Sequence, residues 1–331
     1  MSKILITTVP FGEKDKAPVN LLEDAGIEYV INPLNKKLTE DELADMVSDF
    51  DLIIAGTESI TKKVMDRAPN LKMISRVGIG LDSVDLLEAE KQKISVSYTP
   101  DAPAPAVSEL TIGLMLTLLR SVHLSNMEMH KGNWHRFFGR RLSEVTVGII
   151  GVGRIGSGVV KHLKGLGVSK ILLNDISHDY ESSDKLNKNL NISWVDKDTI
   201  YQQADIITIH TPLTAQTKNM VRKEQLFSMK RDAIIINTAR GGIVNERDLH
   251  GVMQENYLSG AAIDVFDFEP YNGKLREIQR CILTAHMGSM SIDCRARMEL
   301  EATEDAIRFL TNKPLEGLVP EEEYIVQREG L

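Results

Sequence analysis

From residue 3 to about 98, short β-branched apolar runs are separated by polar, helix-compatible segments. The runs occupy positions 4–9, 27–31, 52–55, 71–75 and 94–98. A strand covered on both faces has no polar side to alternate with, so continuous apolar runs predict parallel strands joined by crossover helices. One crossover carries its own start signal. Thr39 stands three residues before Glu42, the spacing at which a hydroxyl caps the third helical amide and the carboxylate reaches back, just ahead of Leu43, Met46 and Val47. Residues 1–99 read as one open α/β unit.

Pro100, Pro103 and Pro105 then punctuate the chain, and positions 107–124 predict one long apolar helix with no strand before the next motif. A second strand set follows at 145–150, 171–173, 192–194, 205–209, 233–237, 260–264 and 281–284, again alternating with helical patterns. Beyond residue 287 only helix is expected, from about 291 to 310, and it is placed back on the first domain. The resulting division is a discontinuous domain of 1–99 plus 290–331 and a doubly wound domain of 100–289. The acidic stretch Glu321-Glu322-Glu323 reads as a solvated tail.

Composition narrows the function classes. The chain has 331 residues, 42% hydrophobic and 26% charged, an ordinary globular mixture long enough for two cores. With 39 Lys and Arg against 47 Asp and Glu, its net charge of −8 disfavours nucleic acid or an anionic membrane as the main partner. Two cysteines, Cys281 and Cys294, make neither a disulfide framework nor a metal knuckle. The N-terminal apolar run stops at Pro10 and lacks an export core, and the longest apolar stretch, 112–119, is well short of the ~20 residues of a membrane span. A soluble, cytoplasmic protein is expected. Its eight histidines show neither an H-E-x-x-H pattern nor a His/Cys cluster with ligand spacing, so no catalytic metal is expected.

The most specific local signal is Gly151-Val152-Gly153-Arg154-Ile155-Gly156, following an apolar strand run and opening a helix that reaches about Leu166. The first glycine permits a tight turn, the second lets backbone approach a pyrophosphate, and the third allows close helix–strand packing, with phosphates at the helix's positive end. Nineteen residues after Gly156, the next strand run ends in Asp175, placed like the acid that takes an adenosine ribose. A carboxylate there repels a 2′-phosphate, and no Arg follows at Ile176, Ser177 or His178, so NAD is expected over NADP. A methyltransferase with a related glycine loop is the competing class at this point.

Three charged residues stand beyond successive strand runs: Arg240, Glu269 and His286. Ligands of open α/β sheets bind at strand C-terminal ends. The blocks Asn237-Thr238-Ala239-Arg240-Gly241-Gly242, Asp264-Val265-Phe266-Asp267-Phe268-Glu269-Pro270 and Leu283-Thr284-Ala285-His286 resemble, in order and spacing, the signatures of the D-isomer-specific 2-hydroxyacid dehydrogenases. Arg76-Val77-Gly78-Ile79-Gly80-Leu81-Asp82-Ser83-Val84-Asp85 extends the likeness, most closely to the phosphoglycerate dehydrogenase branch, so that it spans nearly the whole chain.

The resemblance implies two Rossmann-like, doubly wound parallel-sheet domains, the first flavodoxin-like, with a cleft between them. It also implies hydride exchange between NAD and a D-2-hydroxy acid. Reducing a 2-oxo acid needs an acid for the carbonyl oxygen and a cation for the carboxylate. His286, with an ordinary imidazole pKa near 6.5, gives or takes the proton; Glu269 fixes its tautomer; Arg240 engages substrate oxygens. By the same likeness Asp264 is expected at the nicotinamide carboxamide, with further cofactor contacts from Arg154, Ile155, Thr238, Ala239, Gly288 and the loop His210-Thr211-Pro212. Arg76, Val77, Gly78, Ile79 and Gly80 are the substrate loop, its backbone N–H groups offered to the substrate carboxylate.

Phosphoglycerate is the first substrate expected, with Arg76, Lys131, Arg136, Arg140 and Arg141 as candidate phosphate partners, and hydroxypyruvate or glyoxylate next. Ala285 stands where the family usually has Pro before its histidine, Met287-Gly288-Ser289-Met290 departs from the usual sequence after it, and Asp175 lacks the common following proline. No C-terminal regulatory module of the phosphoglycerate dehydrogenase kind is expected. The apolar stretch 107–124 and the segment 127–141 lie between the domains, where members of the resembled family form two-fold dimers, so the resemblance implies a homodimer. An NAD-sensing, corepressor-like binding protein on the same fold is the alternative from another class.

Overall fold

A computed structural model describes residues 2–176 and 191–328, so Ser177 and His178 lie outside the described residues. The chain divides into two compact units, Met1–Pro103 with Ser289–Leu331, and Ala104–Gly288.

The first unit holds five parallel strands: β1 (Lys3–Ile6), β2 (Glu28–Ile31), β3 (Leu52–Ala55), β4 (Met73–Arg76) and β5 (Ser95–Tyr98). Their order in the sheet is β2-β1-β3-β4-β5, the flavodoxin-like order. Leu5, Ile53, Ile74 and Val96 pack on one face against Leu43, Val47, Val64 and Leu86 of the crossover helices. The capping box forms: the Glu42 amide donates to the Thr39 hydroxyl at 3.3 Å and the Thr39 amide to the Glu42 carboxylate at 2.9 Å. On the other face lies the helix Ile292–Leu310, capped by Ser291 and tied to β4 by a 2.8 Å bond from the Ser75 hydroxyl to the Ala302 carbonyl.

The acidic end is no loose tail. The Tyr98 amide donates to the Gly317 carbonyl at 2.8 Å and the Val319 amide to Val96, extending the sheet edge. Residues Glu321–Arg328 then form a helix whose Gln327 accepts the Leu86 amide and donates to the Val84 carbonyl. Three carboxylates in the first turn suit the positive end of a helix, which is why this run is ordered rather than merely solvated.

The second unit holds seven parallel strands: β6 (Thr146–Ile150), β7 (Lys170–Asn174), β8 (Asn191–Trp194), β9 (Ile206–Ile209), β10 (Ile234–Asn237), β11 (Gly260–Ile263) and β12 (Cys281–Leu283). The order β12-β11-β10-β9-β6-β7-β8 reverses direction between β6 and β9. That topological switch point is where such sheets open a crevice for ligand.

The expected long helix of 107–124 is two helices, Ala104–Leu119 and Val122–His130, bent by 65°. Ser121 breaks them with a left-handed φ of 49°. The Leu119 carbonyl, freed from the helical ladder, instead accepts the Arg140 amide at 3.1 Å. No single helix among the described residues is long and apolar enough to cross a membrane, although the bent pair taken together passes by length and composition.

Candidate active site

The nucleotide loop follows β6 at the switch point. Gly151 has φ +91°, and a Cβ there would lie 2.6 Å from the His210 carbonyl carbon and oxygen. A Cβ on Gly156 would lie 2.0 Å from the Gly151 carbonyl oxygen, so the helix Arg154–Gly165 can start this close to the strand only with glycine. Gly153, at the N-cap, faces open space, and the Arg154 and Ile155 amides follow it in the first turn. Asp175 follows β7, and its carboxylate accepts the Val152 amide at 2.6 Å, fixing the glycine loop.

Beside this loop, after β9, two buried polar atoms have no hydrogen-bond partner: His210 Nδ1 and Thr211 Oγ1. His210 Nε2 is 2.9 Å from the Thr208 hydroxyl, and burial pushes the imidazole down to about 3, so it is neutral at ordinary pH. Pro212 continues the same loop, and its carbonyl accepts the Thr217 hydroxyl. A glycine cradle at a helix N-terminus, a ribose-placed carboxylate and unsatisfied buried donors and acceptors fit a bound dinucleotide.

The chemistry residues stand beyond three adjacent strands, Arg240 after β10, Glu269 after β11 and His286 after β12. His286 Nδ1 lies 2.9 Å from Oε2 and 3.1 Å from Oε1 of Glu269. A carboxylate only accepts, so Nδ1 carries the proton and Nε2 is left to exchange one. Glu269 Oε1 also accepts the Phe266 amide at 3.2 Å, which sets the carboxylate's orientation from its own loop. Arg240 Nη1 donates to the Ala239 carbonyl at 2.7 Å.

Asp264, 1% exposed, holds the histidine's loop. Its Oδ1 accepts the Thr284 hydroxyl at 2.6 Å and the Met287 amide at 2.9 Å, its Oδ2 accepts the Gly288 amide at 2.9 Å, and its carbonyl accepts the His286 amide. His286 itself has a left-handed φ of 49°, a conformation this wrapping maintains. Asn237 does the same for Arg240: its amide donates to the Arg240 carbonyl, its side-chain oxygen accepts the Ala239 amide, and its backbone carbonyl accepts the Asp264 amide. Sequence reasoning placed Asn237 in a signature without a role; its signal was a polar residue ending an otherwise apolar strand. The Thr238 hydroxyl is engaged with Thr111 at 2.9 Å.

In the first unit, β4 ends in Arg76, only 6% exposed, whose guanidinium turns to the carbonyl of Val77 in the loop that follows. The Val77 amide is taken by the Ala55 carbonyl and the Gly78 amide by the Thr99 hydroxyl. Of the donors expected for a carboxylate, Ile79 and Gly80 keep amides with no hydrogen bond among the described residues.

The basic set does not converge. Arg140 pairs at 3.0 Å with Asp205, which lies ahead of β9 at the N-terminal edge of the sheet, and Lys131 pairs with Glu128, while Arg136 and Arg141 are exposed. A cavity of about 670 Å³ in the second unit, lined by Met127, His135, Phe137, Met253 and Arg280 among others, includes none of the site residues. Among the described residues, no group of three His, Cys, Asp or Glu side chains is placed to hold a metal.

Comparison with known proteins agrees with this arrangement. Residues 112–288 match the model of the D-isomer specific 2-hydroxyacid dehydrogenase NAD binding domain. The chain is 36% identical to a glyoxylate reductase of Thermofilum pendens, over 86% of this chain and 85% of the relative. It is 32% identical to a hydroxypyruvate reductase of Thermotoga maritima, over 83% and 90%. A D-3-phosphoglycerate dehydrogenase of Methanocaldococcus jannaschii is 34% identical over 96% of this chain, which spans only 59% of that longer relative. Among solved structures, an NAD-dependent formate dehydrogenase from Staphylococcus aureus in complex with NAD superposes with a TM-score of 0.82 at 28% identity, covering 97% of this chain and 99% of the other. The chain thus belongs to the D-isomer-specific 2-hydroxyacid dehydrogenase family, as an NAD-dependent oxidoreductase.

Proposed function

We propose that this chain interconverts a short, unphosphorylated 2-oxo acid and its D-2-hydroxy acid, with hydroxypyruvate first and glyoxylate next. The observation that carries the reaction class is His286 Nδ1 held on both oxygens of Glu269, which leaves Nε2 as the group that gives a proton to the carbonyl oxygen. Glu269 keeps the tautomer, and Arg240 binds substrate oxygens and polarises the carbonyl. NAD, when bound at Gly151, Gly153, Gly156 and Asp175, supplies the hydride exchange. His286 releases its proton in reduction and takes one up in oxidation, and exchange with solvent restores its starting state before the next turnover.

Two observations support an unphosphorylated substrate over the phosphoglycerate expected first from the sequence. Arg140 and Lys131 are occupied by Asp205 and Glu128, away from the C-terminal edge of the sheet in the case of Arg140. Glu58, 2% exposed, sits in the loop after β3, next to the loop after β4, and holds the Thr7 hydroxyl and the Gly56 amide; its charge opposes a phosphate nearby. Initial rates with NADH against hydroxypyruvate, glyoxylate, pyruvate and phosphohydroxypyruvate test the ranking, and a clear preference for the phosphorylated acid would reverse it.

The chain also reads as a homodimer. Val122, Met129, Trp134 and Phe138 are exposed large apolar side chains on one helix and the segment after it, more than a monomer ordinarily leaves in water. A light-scattering mass equal to one chain at micromolar concentration would contradict the dimer.

A further inference from the structure

We propose that Glu246 is a positioning residue for the Glu269–His286 pair, acting through the loop that carries Glu269. The inference rests on the catalytic reading of that pair. Glu246 is the first residue of the helix Glu246–Gln254, whose cap is supplied by Asn245, so its own carboxylate is not needed to close the helix. It reaches across instead, and Oε1 accepts the Asp267 amide at 2.8 Å.

Asp267 lies between Phe266, whose amide donates to Glu269, and Glu269 itself. The Phe266 and Tyr271 rings stack at 4.1 Å and close the base of this turn. The other hold is steric. Gly241 lies so close that a Cβ on it would come 2.0 Å from the Phe266 carbonyl oxygen and 2.7 Å from the Asp267 nitrogen. Glu246 and Gly241 belong to the segment that follows Arg240, so the two holds fix the Glu269 loop against the stretch of chain bearing Arg240.

The groups facing the Glu246 carboxylate are the Asp267 amide and carboxylate and the Tyr271 hydroxyl. Burial, the largest effect, pushes its carboxyl above the ordinary range, aided by the Asp267 charge and opposed by the bonds from the Asp267 amide and Tyr271. A half-buried carboxylate held by the Asp267 amide and the Tyr271 hydroxyl loses solvation for position. Removing it leaves the Asp267 amide without its acceptor and frees the loop that aims Glu269.

The test compares Glu246→Ala, Glu246→Gln and Glu269→Ala with the unaltered protein. The readouts are hydrogen exchange of residues 264–270, NADH affinity, and kcat, KM and the pH–rate profile with the best 2-oxo acid. For Glu246→Ala the expectation is faster exchange in that loop, kcat lowered about 10- to 100-fold by misplacement of the pair, and a pH–rate profile that differs from that of the unaltered protein. NADH affinity should stay within about twofold. Glu246→Gln, whose amide oxygen still accepts the Asp267 N–H, should restore kcat to within about threefold and return the profile.

Unchanged exchange, or an unchanged kcat and profile in Glu246→Ala, would overturn the proposal. So would a Gln variant as impaired as Ala, or a loss confined to NADH affinity. If Glu269→Ala itself leaves turnover intact, the catalytic reading fails, and the exchange data separately decide whether Glu246 holds the loop.

Discussion

His286 and Glu269, seventeen positions apart in the chain, meet with Nδ1 placed 2.9 Å from Oε2. The contact ties the tautomer of the histidine to one carboxylate. Replacing Glu269 by Gln keeps the shape but removes the carboxylate that holds Nδ1 on both of its oxygens. We expect kcat/KM to fall about 10²- to 10³-fold with NADH binding unchanged. Stopped-flow turnover with parallel NADH titrations reads both effects, and an unchanged kcat/KM would argue against the pairing.

Gly241→Ala tests the close approach of two loops. Its Cβ would sit 2.0 Å from the Phe266 carbonyl, a backbone atom that cannot swing aside as a flexible side chain would. The loops must separate, which should lower stability by about 1–3 kcal/mol and lower kcat beyond what partial unfolding explains. Chemical denaturation with kinetics at a temperature where the variant is fully folded separates the two effects.

Asp175 bears on cofactor choice and on the glycine loop together, because its carboxylate accepts the Val152 amide. Asp175→Ser removes the charge that repels a 2′-phosphate. The ratio of kcat/KM for NADH over NADPH should fall by about 10- to 100-fold, chiefly through weaker NADH use. Parallel titrations with the two reduced cofactors measure it; an unchanged ratio would remove Asp175 from ribose recognition.

His210 should make the fold acid-sensitive. Burial lowers its folded pKa to about 3, while in the unfolded chain it titrates near 6.5. Above that pH both states are neutral and the residue contributes no pH dependence. As pH falls below it, only the unfolded state takes up the proton, so stability declines through the window from about 6.5 toward 3. Between pH 7 and pH 5 the loss attributable to His210 is about 2 kcal/mol. Urea unfolding of the unaltered protein and His210→Gln at pH 5, 6 and 7 should show a difference that shrinks toward acid pH on this scale. A constant difference would count against a neutral buried His210.

Central strands among the described residues, such as β3, β9 and β10, were readable because each is an apolar run buried on both faces, whereas β2 and β8 are partly exposed, and the differences lie at strand ends. Residues 7–9, read as the end of the first strand, fall beyond β1, where the buried Thr7 hydroxyl turns to Ile54 and Glu58. The break at Ser121 was hidden because its partner, the Arg140 amide, returns from outside the helix. The basic residues between 131 and 141 looked like one cluster, but proximity in the chain does not set the direction of side chains in a non-helical segment, and Arg140 finds Asp205 instead. Asp264 was expected at the nicotinamide carboxamide by resemblance, whereas its hold on Thr284, Met287 and Gly288 depends on a loop folding back on a strand end, which no local pattern announces.

The most direct test of the central claim is NADH oxidation with hydroxypyruvate by the unaltered protein and by His286→Ala, with NADH affinity measured on both. The account predicts efficient turnover by the first, a loss of about 10²-fold or more in the second, and equal NADH affinity. Tight NADH binding by both, without turnover of hydroxypyruvate or any other 2-oxo acid by the unaltered protein, or turnover indifferent to His286, would contradict it.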